Sequence, residues 1–169
     1  MSTKTVLITG ASSGFGEACA RKFAAEGHRL ILAARRTGRI EALAKELGEK
    51  VDVLPLTLDV RERELVDEKL TGLPDEFSII DVLVNNAGLA LGLNLADQAD
   101  LGHWDTMVDT NIKGLMYCTR VILHDMVARG AGHVVNIGSV ASSWPYPGGR
   151  ERLWRYEGVC AAVFKKPSS

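Results

Sequence analysis

The stretch that decides the fold is Thr9–Gly16, which reads TGASSGFG and directly follows the apolar run Val6–Ile8. Gly10, Gly14 and Gly16 of this stretch fall where a strand would turn into a helix. Glycine lets the backbone turn tightly and approach a bound group, and a helix N-terminus offers unpaired N–H groups and a positive dipole end to an anion. A plain Gly/Ser turn is the alternative, but a strand before the glycines and a helix after them favour a cradle for a dinucleotide pyrophosphate.

Short apolar runs alternate with helical patterns over most of the chain. Strands are predicted at Thr5–Thr9, Arg29–Ala34, Val51–Leu58, Ile79–Asn85 and His133–Ile137. Helices are predicted at Gly14–Glu26, Arg39–Leu47, Arg61–Leu70 and His103–Ala128, the last with a bend near Asn111. Most of the strands are apolar on both faces, which is typical of buried parallel strands. The alternation, with right-handed crossovers, predicts an α/β fold: a doubly wound Rossmann-type parallel sheet in three α/β/α layers.

Composition narrows the class of protein. The chain has 169 residues, a hydrophobic fraction of 46% and a net charge of -1, so it is long enough for one domain with a real core. There is no basic excess to suggest nucleic acid, and no apolar run approaches the ~18 residues of a membrane span. The N-terminus has no pattern of a signal peptide. We therefore expect a cytoplasmic protein with a small-molecule substrate, and neither a nucleic acid nor a membrane as partner.

The cysteines and histidines show no pattern of a disulfide framework or a metal site. Cys19, Cys118 and Cys160 are odd in number and widely spaced, and the four histidines lack ligand spacing. We expect no metal, and we predict that Cys19 and Cys118 are small core residues. On the first predicted helix, Cys19 shares a face with Phe15 and Phe23, and this face is expected to pack inward.

Two arginines follow the second predicted strand, where the adenosine ribose of a dinucleotide would lie. An Asp or Glu at that place would accept a hydrogen bond from the ribose 2′-hydroxyl, whereas Arg35 and Arg36 suit a 2′-phosphate. The pattern therefore favours NADP over NAD. A solvated basic turn is the alternative, and only one of the two arginines need touch the cofactor.

Polar groups also follow the third and fourth predicted strands. Asp59-Val60 ends the third strand near the expected adenine position, where Asp59 could accept from the adenine amine. A helix N-cap is the alternative for Asp59, and both roles are compatible. Asn85–Gly88, which reads NNAG, ends the fourth strand at the carboxyl edge of the sheet. Ligands bind at that edge in open α/β sheets, near the point where the strand order reverses.

Taken together, these motifs resemble the ordered motif set of the short-chain dehydrogenase/reductases over residues 5–149. The resemblance rests on TGASSGFG, the DV after the third strand, NNAG, Asn111 in TNIKG, and Ser139 in NIGSVAS. The stretches NNAGLALG, WxxMVDTNIKG and GSVASSWPYPGG resemble more narrowly the NADP-dependent 3-hydroxy acid dehydrogenases, which reduce small semialdehydes and oxidise serine-like 3-hydroxy acids. The resemblance implies that NADP contacts Gly10, Ser12, Ser13, Gly14, Phe15, Gly16, Arg35, Arg36, Asp59, Val60, Asn86, Ala87 and Gly88.

The resemblance also implies catalytic roles. Ser139 would hold the substrate oxygen by a hydrogen bond, and Asn111 would bend a helix and hold a water in a proton relay. A Tyr four residues before a Lys would perform the acid/base step, with the cationic Lys lowering the pKa of the Tyr. Without the resemblance, Ser139 reads as a strand-end cap and Asn111 as a polar residue at a helix bend.

The Tyr-x-x-x-Lys pair that the resemblance leads us to expect shortly after Ser139 is absent from the sequence. Tyr146 is followed four residues later by Arg150, and Tyr156 by Cys160. Arg150 is a poor stand-in for the Lys, because Tyr146 lies too early and in a proline-flanked turn that disfavours a helix.

The codons implied from Arg150 onward offer an explanation. If the reading frame is shifted one base downstream, the last two bases of the Trp154 codon and the first base of the next codon can encode only Gly. In the same frame, Tyr156 followed by Glu157 allows only Thr or Met, and Glu157 followed by Gly158 allows only Lys or Arg. With permitted codons elsewhere, the shifted frame reads GNVYGATKAFVRQ, which contains the missing pair. We hypothesise that the tail from Arg150 is the product of a frameshift, either natural or a sequencing error.

This hypothesis divides the chain into an incomplete NAD(P)-binding Rossmann domain, residues 1–149, and an aberrant, disordered tail, residues 150–169. The sheet would stop after the fifth strand. Val134, Val135 and Ile137 would then lack the helix that covers one face of the sheet and a neighbouring strand. Each apolar side chain left in water forfeits roughly 1.5–3 kcal/mol, against a domain stability of ~5–15 kcal/mol. We therefore expect a marginal or aggregation-prone chain with an open sheet edge.

The functional expectation is hydride transfer between NADP(H) and a small 3-hydroxy acid or semialdehyde, with little turnover by the chain as written. A non-catalytic NADP-binding module and a non-functional fragment are the alternatives. The resemblance implies that intact relatives form homo-oligomers, and it leaves open whether this chain assembles.

Overall fold

The computed structural model describes residues 2–92, 94 and 96–139. The strands are β1 (Thr5–Thr9), β2 (Arg29–Ala34), β3 (Val53–Thr57), β4 (Val82–Asn85) and β5 (His133–Asn136). The α-helices are α1 (Gly14–Ala25), α2 (Thr37–Leu47), α3 (Arg63–Thr71), α4 (Asp75–Ser78), α5 (Leu101–Val108) and α6 (Leu115–Arg129). A π-helical segment, Asp109–Gly114, joins α5 to α6, and Ala96–Gln98 forms a 3₁₀ turn.

The five strands form one parallel sheet in the order β3-β2-β1-β4-β5. Leu7 of β1 pairs with Ile31 of β2 on one side and with Leu83 of β4 on the other. The chain therefore builds outward from β1 to β3 and then returns to place β4 beside β1. The gap at the carboxyl ends of β1 and β4 is the point where the strand order reverses, and it is the usual ligand site of such sheets.

Each face of the sheet is covered by helices, because neighbouring residues of a strand point to opposite faces. On one face, Val6, Ile8 and Leu30 belong to a buried cluster that includes residues of α1 and α2. On the other face, Leu7 and Ile31 belong to a second cluster, which includes residues of α3 and α6. This three-layer arrangement confirms the predicted doubly wound fold.

The inward face of α1 differs from the prediction. Phe15 is 77% exposed, and the buried residues of α1 are Gly16, Ala20 and Ala24. Cys19 and Phe23 are only partly buried, at the flank of this stripe. The helix starts so close to the β1 turn that an ideal Cβ on Gly16 would lie 2.5 Å from the carbonyl oxygen of Gly10, so small residues line the contact and the large ones lie beside it.

Other boundaries shift for local reasons. The predicted strand Ile79–Asn85 begins only at Val82, because the short helix α4, which the sequence did not predict, ends at Ser78 and residues 79–81 connect it to the sheet. Cys118 is fully buried, as predicted, whereas Cys19 has intermediate exposure. The predicted domain boundary at residue 149 and the predicted disorder of residues 150–169 lie outside the described residues. Among the described helices, none combines the length and apolar character needed to cross a membrane.

Candidate functional site at the carboxyl edge of the sheet

A cavity of about 780 Å³ lies at the carboxyl edge of the sheet. It is bounded by the segments that follow all five strands and by the π-helical segment. Of the residues predicted to act here, those that line it are Gly10, Ser12, Ser13, Phe15, Arg35, Arg36, Asp59, Val60, Asn86, Ala87, Gly88, Asn111 and Ser139. Gly14 and Gly16 lie in the same turn without lining the cavity. The fold thus gathers groups separated by more than a hundred residues into one site.

The turn after β1 requires glycine at two positions for different reasons. Gly10 has a φ of +66°, and an ideal Cβ on it would lie 2.8 Å from the Cα of Ala87. Gly14 has a φ of +59° but no atom within 4 Å of its ideal Cβ, so the space beside the start of α1 is open. The N-cap residue Ser13 makes no side-chain cap hydrogen bond to the helix. Because Ser13 does not cap the helix with its side chain, the first-turn N–H groups of α1 can donate to an anion, as at other anion sites at helix N-termini.

The turns after β1 and β4 are fastened to each other by Thr9 and Asn86. The buried hydroxyl of Thr9 accepts hydrogen bonds from the backbone N–H groups of Asn86 and Ala87, both at 3.0 Å. In return, the Asn86 side-chain amide donates to the carbonyls of Thr9 at 3.0 Å and Gly10 at 3.2 Å. Sequence reasoning missed Thr9, although a polar residue closing an apolar strand is the signal that could have found it.

The two arginines after β2 are held differently. Arg36 donates to the Ser12 hydroxyl from Nε at 3.1 Å and from Nη2 at 2.9 Å, and to the Ser13 hydroxyl from Nη2 at 2.7 Å. The Arg35 side chain is 54% exposed, and its Nη1 lies 3.9 Å from Oδ2 of Asp59. Arg36 thus stabilises the glycine-rich turn, whereas Arg35 lies at the cavity wall and makes a long ion pair with Asp59.

Asp59 is held by Arg61 rather than by a helix. Its Oδ1 accepts from the backbone N–H of Arg61 at 3.1 Å, and the Arg61 guanidinium donates to both carboxylate oxygens, the shortest contact being Nη2 to Oδ2 at 2.6 Å. The predicted alternative of a helix N-cap is wrong, because α3 begins at Arg63 and its N-cap residue is Glu62. Side-chain hydrogen bonds from Arg61 lower the pKa of Asp59 against a smaller opposing effect of burial, so the carboxylate stays ionised.

Asn111 lies in the π-helical segment, a departure from regular α-helix at the place where the sequence predicts a bend in the long helix. Its Oδ1 accepts from the backbone N–H of Leu89 at 2.9 Å, and its Nδ2 donates to the carbonyl of Leu89 at 2.8 Å. An ideal Cβ on Gly114 would lie 2.5 Å from Cγ2 of Val60, so the segment also presses against the loop after β3. Single-turn π segments occur often at functional sites. The water relay predicted for Asn111 stays a prediction.

Ser139 reaches the same cavity through the pairing of β4 with β5. Asn85 and Asn136 are opposite each other in register, and the Asn85 side-chain amide donates to Oδ1 of Asn136 and to the hydroxyl of Thr119, both at 2.9 Å. This buried contact joins β4, β5 and α6 close to the site. Sequence reasoning missed Asn85 as a linking residue, because its partners lie 34 and 51 residues further along the chain.

The geometry agrees with the comparison to known families. The short chain dehydrogenase family model matches residues 4–151. The chain belongs to the short-chain dehydrogenases.

Individual relatives of this short-chain dehydrogenase extend the comparison. The NADP-dependent 3-hydroxy acid dehydrogenase of Salmonella typhi is 55% identical over 144 residues, which is 85% of this chain and 57% of the relative. Sulfoacetaldehyde reductase 2 of Chromohalobacter salexigens is 51% identical over 144 residues, again 85% of this chain and 57% of the relative. The chain therefore spans less than two thirds of the length of these relatives.

A solved structure gives the same picture for the fold. The closed form of serine dehydrogenase complexed with NADP⁺ is 46% identical and superposes with a TM-score of 0.87, covering 94% of this chain and 63% of that one. Within the part of the chain described here, no group of three or more His, Cys, Asp or Glu residues is placed to hold a metal ion. Among the described residues that line the cavity, the polar side chains are hydroxyls, amides, arginines and the carboxylate of Asp59.

Proposed function

We propose that the cavity binds NADP(H), and that the protein is by descent an NADP-dependent oxidoreductase whose intact form acts on a small 3-hydroxy acid or semialdehyde. The observation that carries the proposal is that the open N-terminus of α1, the two arginines after β2 and Ser139 border one cavity. The names of the similar proteins support the same cofactor, because one is an NADP-dependent 3-hydroxy acid dehydrogenase and one solved structure is of a serine dehydrogenase complexed with NADP⁺.

The residues present fit this cofactor. Ser12, Ser13 and Phe15 border the cavity at the start of α1, and the first-turn N–H groups there suit a pyrophosphate. Arg35 and Arg36 supply positive charge after β2, and no carboxylate stands at either position to favour an unphosphorylated ribose. The bound cofactor supplies or accepts the hydride.

The chain's own residues take the remaining roles. Ser139 holds the substrate oxygen by a hydrogen bond in this proposal, and Asn111 fixes the loop after NNAG through both backbone groups of Leu89. The proton-transferring Tyr and its Lys are absent from the sequence as written. We therefore propose that this chain binds NADP(H) with little turnover, as a non-catalytic NADP-binding module would.

Calorimetric titration of the full chain with NADP⁺ and with NAD⁺ tests the binding proposal. NADP⁺ should bind at least roughly tenfold more tightly, because a charge-assisted contact to the 2′-phosphate contributes roughly 1.5–3 kcal/mol. Equal affinity, or a preference for NAD⁺, would reject the assignment of the cofactor.

Turnover is a separate measurement. Formation of NADPH with L-serine or 3-hydroxypropionate should be lower by roughly 10²–10⁴ than in a relative that has the Tyr and Lys. Full turnover by the chain as written would show that another group moves the proton, and it would overturn the proposal of a binding-only chain.

A further inference from the structure

Arg61 lies directly after two residues of the cavity wall. Asp59 and Val60 line the cavity, whereas Arg61 is not among the described residues that do so. Within the described part of the chain, the side chain through which Arg61 reaches the cavity wall is the carboxylate of Asp59. It approaches that carboxylate with three donors: its backbone N–H, Nε and Nη2.

These donors fix the orientation of the carboxylate. Nε lies 3.0 Å from Oδ1 and 3.1 Å from Oδ2, and Nη2 lies 2.6 Å from Oδ2. A planar guanidinium that bridges both oxygens prevents the carboxylate from rotating. A carboxylate offers about four lone-pair sites. Because Nε is shared between the two oxygens, the three N–H donors of Arg61 occupy about three of these sites and leave about one for a ligand. Nη1 of Arg35, at 3.9 Å from Oδ2, is beyond hydrogen-bond distance.

Side-chain hydrogen bonds to Asp59 raise the pKa of Arg61, and the charge of Asp109, in the π-helical segment, acts on that pKa in the same direction. The Arg61 side chain is 35% exposed and that of Asp59 is 14% exposed, so the pair is partly screened from water. The carboxylate is therefore fixed in direction and remains ionised.

We infer that Arg61 is a positioning residue that makes the cofactor site select an adenine base, with an amino group at C6, over a hypoxanthine base, with an oxygen at C6. The inference rests on the proposed NADP function and deepens it. An amino group donates to the fixed acceptor site of Asp59. In hypoxanthine, the C6 oxygen instead places a lone pair against that acceptor site, which is repulsive, and the N–H donor is on N1, the adjacent ring atom. A carboxylate that Arg61 holds in one orientation cannot turn to accept from N1–H, whereas a carboxylate without Arg61 can.

The test is the ratio of two dissociation constants measured by calorimetry on the full chain. The ligands are NADP⁺ and nicotinamide hypoxanthine dinucleotide phosphate, which differ only at the base. The wild-type chain should prefer NADP⁺ by roughly tenfold or more, the effect of one hydrogen bond to a charged group. Arg61→Gln should lower this ratio at least threefold. Arg61→Lys should also lower this ratio, because a lysine ammonium keeps the positive charge but lacks the planar pair of N–H groups that bridges both carboxylate oxygens.

Arg63→Gln is the matched control, since it removes the same charge from an exposed position two residues away and should keep the wild-type ratio. A purely structural role for Arg61 would lower the melting temperature and weaken both ligands equally. An unchanged ratio in Arg61→Gln, or a wild-type ratio in Arg61→Lys, would overturn the inference while the proposed function stands. Failure of the wild-type chain to bind NADP⁺ would instead overturn the proposed function and this inference with it. Thermal melts of each variant verify folding, and Arg61→Lys provides the ratio if Arg61→Gln does not fold.

Discussion

At the scale of single residues, two adjacent arginines with the same sequence signal have different surroundings. Arg36 is engaged by the hydroxyls of Ser12 and Ser13, whereas Arg35 is exposed beside the cavity. We predict that Arg35→Gln weakens NADP⁺ binding roughly tenfold or more and leaves NAD⁺ binding unchanged, because it removes one charge-assisted contact. Arg36→Gln should weaken the binding of both NADP⁺ and NAD⁺, because it removes the hydrogen bonds that hold Ser12 and Ser13 in the glycine-rich turn. Titration of both variants with both cofactors checks this, and the reverse pattern would assign the phosphate to Arg36.

Asp59 gives a residue-scale prediction about pH. Arg61 lowers its pKa from the ordinary 3.8, so the folded state binds this proton less readily than the unfolded state does. The ionised carboxylate therefore stabilises the fold above about pH 4, and this contribution is lost as the pH falls through the lowered pKa. Asp59→Asn should be less stable than wild type at pH 7, and the difference in unfolding free energy should shrink towards pH 3. Urea unfolding at the two pH values measures the difference, and a constant gap would contradict the prediction.

At the scale of elements, the π-helical segment depends on a close contact that only glycine permits. A Cβ on Gly114 would meet Val60 at Cγ2, Cβ and the backbone oxygen, all within 3.0 Å. Gly114→Ala should therefore destabilise the fold by roughly 1–3 kcal/mol, the usual cost of overpacking. Gly38→Ala is the control, because Gly38 lies in α2 with nothing within 4 Å of its ideal Cβ, and it should be neutral or stabilising by up to ~1 kcal/mol. Equal denaturation midpoints for the two variants would contradict this prediction, because they would show that the π-helical segment can move away from Val60 at little cost.

The same scale shows why some elements could be predicted from sequence and others could not. β1 and β2 occupy the predicted residues, since a short apolar run with polar flanks has few alternatives. The predicted inward face of α1 failed at Phe15 because periodicity identifies an apolar stripe without showing how closely the helix approaches the sheet. The bend at Asn111 was predicted, but its partner Leu89 was not. Contacts such as Asn85 to Thr119 depend on how distant segments pack, which local patterns do not encode.

At the scale of the whole molecule, the family match runs over residues 4–151, and the codon argument places a change of reading frame at Arg150. We propose that the coding DNA carries a one-base frame change there. Resequencing this region should reveal a frame that encodes a Tyr-x-x-x-Lys pair shortly after Ser139. DNA with no net frame change near the Arg150 codon would reject the proposal.

Expression of both reading frames tests the functional consequence of this proposal. A chain with the frame restored should gain turnover by roughly 10²–10⁴, the usual contribution of a positioned acid/base group. Its NADP⁺ affinity should also rise, because the Lys adds a contact to the ribose, but the rise should be smaller because the described residues around the cavity already supply the groups proposed to bind the pyrophosphate and the 2′-phosphate. A restored chain that binds NADP⁺ but gains no turnover would show that the missing pair does not account for the low activity. In that case the protein would be a binding module in either frame.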